Sequence, residues 1–170
     1  EIVEAQKLFS IPDEKLDILI HPNSLVHAII HLKNGLIKLL YHETTMMIPL
    51  ANAIFEGNLN IENFYKRIKK SKSVISDSLI FKKVDKKKFP LIKLKNKINE
   101  YPSTAIIINA VNEVLVSEFL KKKIPYMDIN KQIFSIMNDG NYRKYAIKKP
   151  STLKVIFEID SWAKATIKNK

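Results

Sequence analysis

Two runs of branched and apolar residues, Leu25 to Leu32 and Leu36 to Tyr41, flank the dipeptide Asn34-Gly35. Asn-Gly between apolar runs is the strongest short-range hairpin signal, because both residues tolerate the positive φ that a tight turn needs. Segment 25–41 is therefore expected to fold back on itself as two antiparallel strands. Both strands carry apolar residues on both faces, so the hairpin needs cover on each side or an oligomer interface. His21-Pro22-Asn23-Ser24 before it is turn chemistry, and Leu16 to Ile20 reads as a short strand. Met46 to Phe55 reads as a short helix, with Pro49 tolerated in its first turn. Upstream, Ile2, Ala5, Leu8 and Phe9 repeat at helical spacing, and Pro12-Asp13 ends that pattern.

The second half is helical in pattern. Pro90 to Ile98 starts it. Ser103 to Leu120 is the longest apolar segment and predicts a buried helix, with Ile107, Val111, Val114 and Leu115 on one face. Asp128 is read as the N-cap of a helix over Ile129 to Met137, stopped by Asp139-Gly140. Ser151 is read as the cap of a last helix, with Leu153, Ile156, Phe157, Ala163 and Ile167 inward. Short links between these elements predict an antiparallel bundle. Between the halves, Lys66 to Lys72 and Lys82 to Lys88 are lysine-dense and Ser71 to Ser78 is serine-rich. That stretch is read as an exposed connector with one extended piece, Ser78 to Phe81.

The chain has 170 residues, enough to bury roughly 70% of its unfolded surface, and no cysteine, which excludes a disulfide framework or a thiolate metal site. No apolar run is long enough for a membrane span. The net charge of +12 is carried almost wholly by lysine, with Arg67 and Arg143 the only arginines. Base readout and bidentate phosphate binding favour arginine, so solvated lysine surface is preferred to a nucleic-acid site.

Four histidines, His21, His27, His31 and His42, invite a metal reading. His27 and His31 have His-x-x-x-His spacing, but on a strand they stand roughly 13 Å apart, too far for one ion; structural histidines are the preferred reading. Asn109, Asn112 and Glu113 share one face of the apolar helix and are expected to bond to backbone or another helix as a structural stitch. Glycine is too scarce for a nucleotide-binding loop, and no nucleophile–base pair is visible from spacing.

The order Ile20 to Pro49, with His21-Pro22-Asn23-Ser24, His27 and Glu43-Thr44-Thr45-Met46, resembles the catalytic domain of the 1-deoxy-D-xylulose 5-phosphate reductoisomerase family. Asn109-Ala110-Val111-Asn112-Glu113 resembles its C-terminal helical domain. Glu1-Ile2-Val3-Glu4-Ala5 resembles the family helix that follows an Asn-Lys-Gly-Leu motif. Departures are Thr44 and Thr45 for Pro-Asp, Met47 for a basic or polar residue, and Glu56-Gly57 for Trp-Pro; the first two imply a more flexible, less acidic loop.

The resemblance implies an α+β chain. Residues 1–58 would be the C-terminal part of a catalytic and dimerisation domain, 59–88 a connector and 89–170 a C-terminal antiparallel helical bundle. It implies conversion of 1-deoxy-D-xylulose 5-phosphate to 2-C-methyl-D-erythritol 4-phosphate, with NADPH bound by an upstream domain and Mg²⁺ or Mn²⁺ as the metal. Glu1 is the implied metal ligand, substrate contact and catalytic residue, with Glu4 the alternative in register; a hard cation wants such oxygen ligands. Ser24, His27 and Met46 are implied to line the active site. The expected partners are a sugar-phosphate substrate and a second copy, with neither nucleic acid nor membrane, in a bacterial cytoplasm. This polypeptide alone is expected to be inactive and to bind Mg²⁺ negligibly. Two alternatives are a lysine-rich nucleic-acid-binding module, with lysines gathered on one face, and a non-catalytic dimerisation domain.

Overall fold

The computed structural model describes residues 2–67 and 78–169. Glu1 and residues 68–77, with most of the Lys66–Lys72 and Ser71–Ser78 runs, lie outside the described residues. The elements in chain order are α1 (Ile2–Phe9), a 3-10 turn (Asp13–Lys15), β1 (Leu19–Ile20), β2 (Val26–His31), β3 (Ile37–Tyr41), α2 (Met47–Ile54), α3 (Ile61–Arg67) and β4 (Lys82–Lys83). A second 3-10 turn (Pro90–Leu94), α4 (Thr104–Leu120), α5 (Tyr126–Ile136), α6 (Tyr142–Ala146) and α7 (Leu153–Lys168) follow. The architecture is α+β. It divides into two compact units: Ile18–Val84, and Glu1–Asp17 together with Asp85–Lys170.

The first unit is built on two antiparallel strand pairs. β2 and β3 form the expected hairpin. Its loop is three residues long: the Gly35 amide donates to the Leu32 carbonyl (3.0 Å) and the Leu32 amide to the Leu36 carbonyl (2.9 Å). Gly35 holds φ +86°, the left-handed position that such loops reserve for glycine. Asn34 Oδ1 accepts the Leu36 amide at 3.1 Å. β1 pairs with β4, with Leu19 opposite Lys83 and Ile20 opposite Lys82. The extended piece expected at 78–81 is thus displaced to Lys82–Lys83, and α3 occupies ground where the sequence pattern had faded. Its Tyr65 is buried.

The second unit has its core where the 3.6-residue period placed it on α4. Ile107, Ala110, Val111, Val114 and Leu115 are buried against Ile129, Ile133 and Ile136 of α5 and Ile159, Ala163 and Ile167 of α7. Four expectations change. Residues 90–94 are 3-10, not α-helical. Asp128 is not the cap of α5: Pro125 holds that position in extended conformation, and the Asp128 amide already donates to the Pro125 carbonyl. Thr152, not Ser151, caps α7, its hydroxyl accepting the Val155 amide. On α7, Leu153 and Phe157 are 71% and 63% exposed. Phe157 precedes Ile159 by two residues, about 200° around a helix, so the two face opposite ways.

Among the described residues of this unit, no buried side-chain polar atom is left without a hydrogen-bond partner. Ser103, fully buried, donates from its hydroxyl to the Lys148 carbonyl at 2.6 Å, and its amide donates to the Ala146 carbonyl at 3.0 Å. Thr104 Oγ1 and the Tyr142 hydroxyl share a buried hydrogen bond of 2.8 Å. Asn109 and Glu113 are exposed, contrary to a buried stitch. Glu113 does bond to another helix, as expected, meeting Lys164 of α7 at 2.8 Å, and Lys164 also meets Asp160. Helix α1 is tied here through Gln6, which bonds to Asp13, and through Asn99, whose amide donates to Asp13 Oδ2 at 2.8 Å.

Candidate active site

Glu1 lies outside the described residues. Ser24, His27 and Met46 all belong to the unit Ile18–Val84, and they belong to the segments that meet at the open end of the hairpin. Ser24 closes the His21–Ser24 turn, its amide donating to the His21 carbonyl at 2.9 Å. It holds φ +50°, a left-handed conformation that costs a non-glycine residue about 1–2 kcal/mol and persists only where the surroundings fix it. One residue on, the Leu25 carbonyl accepts the His42 amide at 3.0 Å. That bond joins the start of β2 to the end of β3.

The pairing register places His27 in a bulge. Val26 stands opposite Tyr41 and Ala28 opposite Leu40, so His27 is the extra residue on β2. A bulge bends the strand and re-aims the side chain. Here the His27 imidazole lies on His42, with centroids 3.7 Å apart and planes 7° from parallel. Its Nε2 is 3.3 Å from the His42 carbonyl oxygen. A carbonyl only accepts, so Nε2 carries the proton. His42 Nδ1 donates in the same way to the Glu43 carbonyl at 2.6 Å.

The loop after His42 is closed by its own bonds. The Glu43 carbonyl also accepts the Thr45 amide. Thr45 Oγ1 accepts the Met47 amide at 3.2 Å, serving the first turn of α2, the task for which Asp is otherwise suited. Met46 sits at the N-cap of α2 and is 70% exposed. The structure therefore links His27 to the loop that carries Met46 through His42, a residue the sequence left among structural histidines. Nothing local could have marked His42, since the contact depends on cross-strand register.

His21 does not join them. Its Nδ1 donates to the Ile80 carbonyl at 2.8 Å and its ring lies beside Phe81, which fastens the turn to the returning segment. Among the described residues no three His, Asp or Glu side chains gather closely enough to hold a metal ion. A hard divalent cation needs several oxygen donors, so the described residues alone do not fit one. Also among the described residues, no helix is long and apolar enough to cross a membrane.

The family model for the DXP reductoisomerase C-terminal domain matches residues 43–166. The chain is 36% identical over 170 residues to 1-deoxy-D-xylulose 5-phosphate reductoisomerase of Pelagibacter ubique, covering 98% of this chain and 42% of that protein. It is 35% identical over 164 residues to the enzyme of that name from Campylobacter jejuni, covering 94% and 42%. Among solved structures it is similar to the Zymomonas mobilis reductoisomerase in complex with NADPH (TM-score 0.74, 26% identity, 99% of this chain and 42% of that one). A DOX-P reductoisomerase in complex with NADPH, fosmidomycin and magnesium shares the fold at TM-score 0.80 and 23% identity. This chain spans 42% of the length of the Pelagibacter and Campylobacter proteins. By the family match and by these relatives, the chain belongs to the 1-deoxy-D-xylulose 5-phosphate reductoisomerase family, whose C-terminal part it matches.

Proposed function

We propose that this chain serves as the C-terminal part of an NADPH-dependent reductoisomerase that converts 1-deoxy-D-xylulose 5-phosphate to 2-C-methyl-D-erythritol 4-phosphate. The observation that carries the reading is the base of the hairpin in a member of this family: a bulge at His27 sets its ring on His42, which in turn bonds to the loop that leads to Met46. In this reading Ser24, His27 and Met46 line the active site and Glu1 is the metal ligand and substrate contact. The metal, Mg²⁺ or Mn²⁺, would polarise the substrate's oxygens when bound. The protein groups orient the substrate and exclude water, while hydride transfer belongs to NADPH. Residues 1–58 serve the catalytic and dimerisation domain, 59–88 the connector and 89–170 the helical bundle. The enzyme works in the bacterial cytoplasm.

A homodimer is part of the proposal. Ile30, Ile37, Leu39 and Leu40 of the hairpin are 49%, 57%, 47% and 54% exposed. Exposed apolar strands with open edges invite pairing unless covered, and a second copy is the cover proposed. Equilibrium sedimentation reads the mass, with a monomer at micromolar concentration counting against it.

The activity is tested on a full-length reductoisomerase polypeptide whose C-terminal part is this chain. NADPH consumption should require both 1-deoxy-D-xylulose 5-phosphate and a divalent metal, and Glu1→Gln should abolish it. A folded wild-type protein that oxidises no NADPH under those conditions overturns the reading.

A further inference from the structure

We infer that His42 is a positioning residue, which fixes the His27 imidazole and the Met46 loop together. The inference rests on the reading that His27 and Met46 line the active site. His42 acts through three separate groups. Its ring stacks on His27 at 3.7 Å. Its carbonyl accepts the proton of His27 Nε2. Its own Nδ1–H is spent on the Glu43 carbonyl, which holds the ring from rotating about its side-chain torsions. Of the two imidazole tautomers, this contact selects the one with the proton on Nε2. The Glu43 carbonyl that receives His42 also receives Thr45, and Thr45 in turn receives Met47. Any rotation of His42 therefore disturbs the ring on one side and the Met46 turn on the other. Because a bulged residue lacks a cross-strand partner to steady it, His27 depends on this contact for its pose.

The test uses NMR of the 170-residue chain and two variants. In the wild type, the ring protons of His27 should be displaced upfield by the stacked imidazole. Long-range ¹⁵N–¹H correlation should give the Nε2–H tautomer. His42→Ala should lose the upfield displacement and shift the Met46 methyl and Met47 amide resonances. His42→Phe keeps an aromatic face and the backbone carbonyl but has no Nδ1–H. It should restore the displacement and tautomer of His27 while the Glu43–Met47 amides still shift. Wild-type His27 resonances in His42→Ala would overturn the inference, as would unstacked His27 resonances in a folded His42→Phe. Neither readout needs turnover. If NADPH oxidation fails while these shifts hold, the activity reading falls and the His42 contact stands.

Discussion

The imidazoles of His27 and His42 lie 3.7 Å apart and 7° from parallel, although they stand 15 positions apart in the chain. The bulge at His27 makes the contact, and the contact brings the two segments of catalytic resemblance into one local structure. The turn containing Thr45 follows directly. Thr45→Ala removes the acceptor of the Met47 amide and should destabilise the first turn of α2 by about 0.5–1.5 kcal/mol, the net worth of one ordinary hydrogen bond. Amide hydrogen exchange at Met47 reads this, with faster exchange expected in the variant and unchanged exchange arguing against the bond.

Core burial predicts a sharp contrast between two residues of the bundle. Ile133 is 1% exposed and Phe157 is 63% exposed. Ile133→Ala should cost about 2–5 kcal/mol through lost burial and the cavity left behind. Phe157→Ala should stay within about 0.5 kcal/mol of the parent. Urea denaturation of both variants measures the two values, and similar losses would mean that α7 faces the other way.

The buried bond between Thr104 and Tyr142 should be coupled. Tyr142→Phe leaves the Thr104 hydroxyl without that partner in the core, at a cost of about 1–3 kcal/mol. Adding Thr104→Val removes the stranded group, so the double variant should lose less than the sum of the single changes. Additive losses in a double-mutant cycle would place the two hydroxyls apart.

The pH dependence of stability has two arms. The hydrogen bond that Lys164 donates to Glu113, aided by Asp160, raises the Lys164 pKa above its ordinary value, and burial raises that of Tyr142. A raised folded-state pKa adds stability that is complete below the unfolded value and is lost as pH rises through the folded one. Stability should therefore fall on the alkaline side, and Glu113→Gln should blunt that fall. The hydrogen bond from Lys123 lowers the Glu118 pKa. Its contribution is present above the ordinary carboxylate range and is lost as pH falls through the lowered value. Thermal melts from acid to alkaline pH test both signs, and a Glu113→Gln profile identical to the parent would remove Lys164 from the account.

For the isolated polypeptide, no group of three ligating side chains among the described residues offers a metal site. Calorimetric titration with Mg²⁺ or Mn²⁺ should give no tight stoichiometric binding. A tight one-to-one isotherm would mean that this chain supplies a full set of donors, Glu1 included.

Local pattern determined a good deal by itself. Asn34-Gly35 specified the hairpin, because a positive φ is a property of single residues. The spacing of Ile107, Val111, Val114 and Leu115 specified the inner face of α4, because a helix returns every 3.6 residues whatever surrounds it. Only the tertiary structure decided which residue of β2 would bulge, since register is a relation between two strands and either strand alone is silent on it. It likewise decided that Leu153 and Phe157 would remain outside while Ile159 and Ala163 went inside, because a helix with apolar residues on more than one face is oriented by its neighbours. His42 belongs to this second group: its place follows from a ring on another strand, and no spacing within its own segment encodes that ring's position.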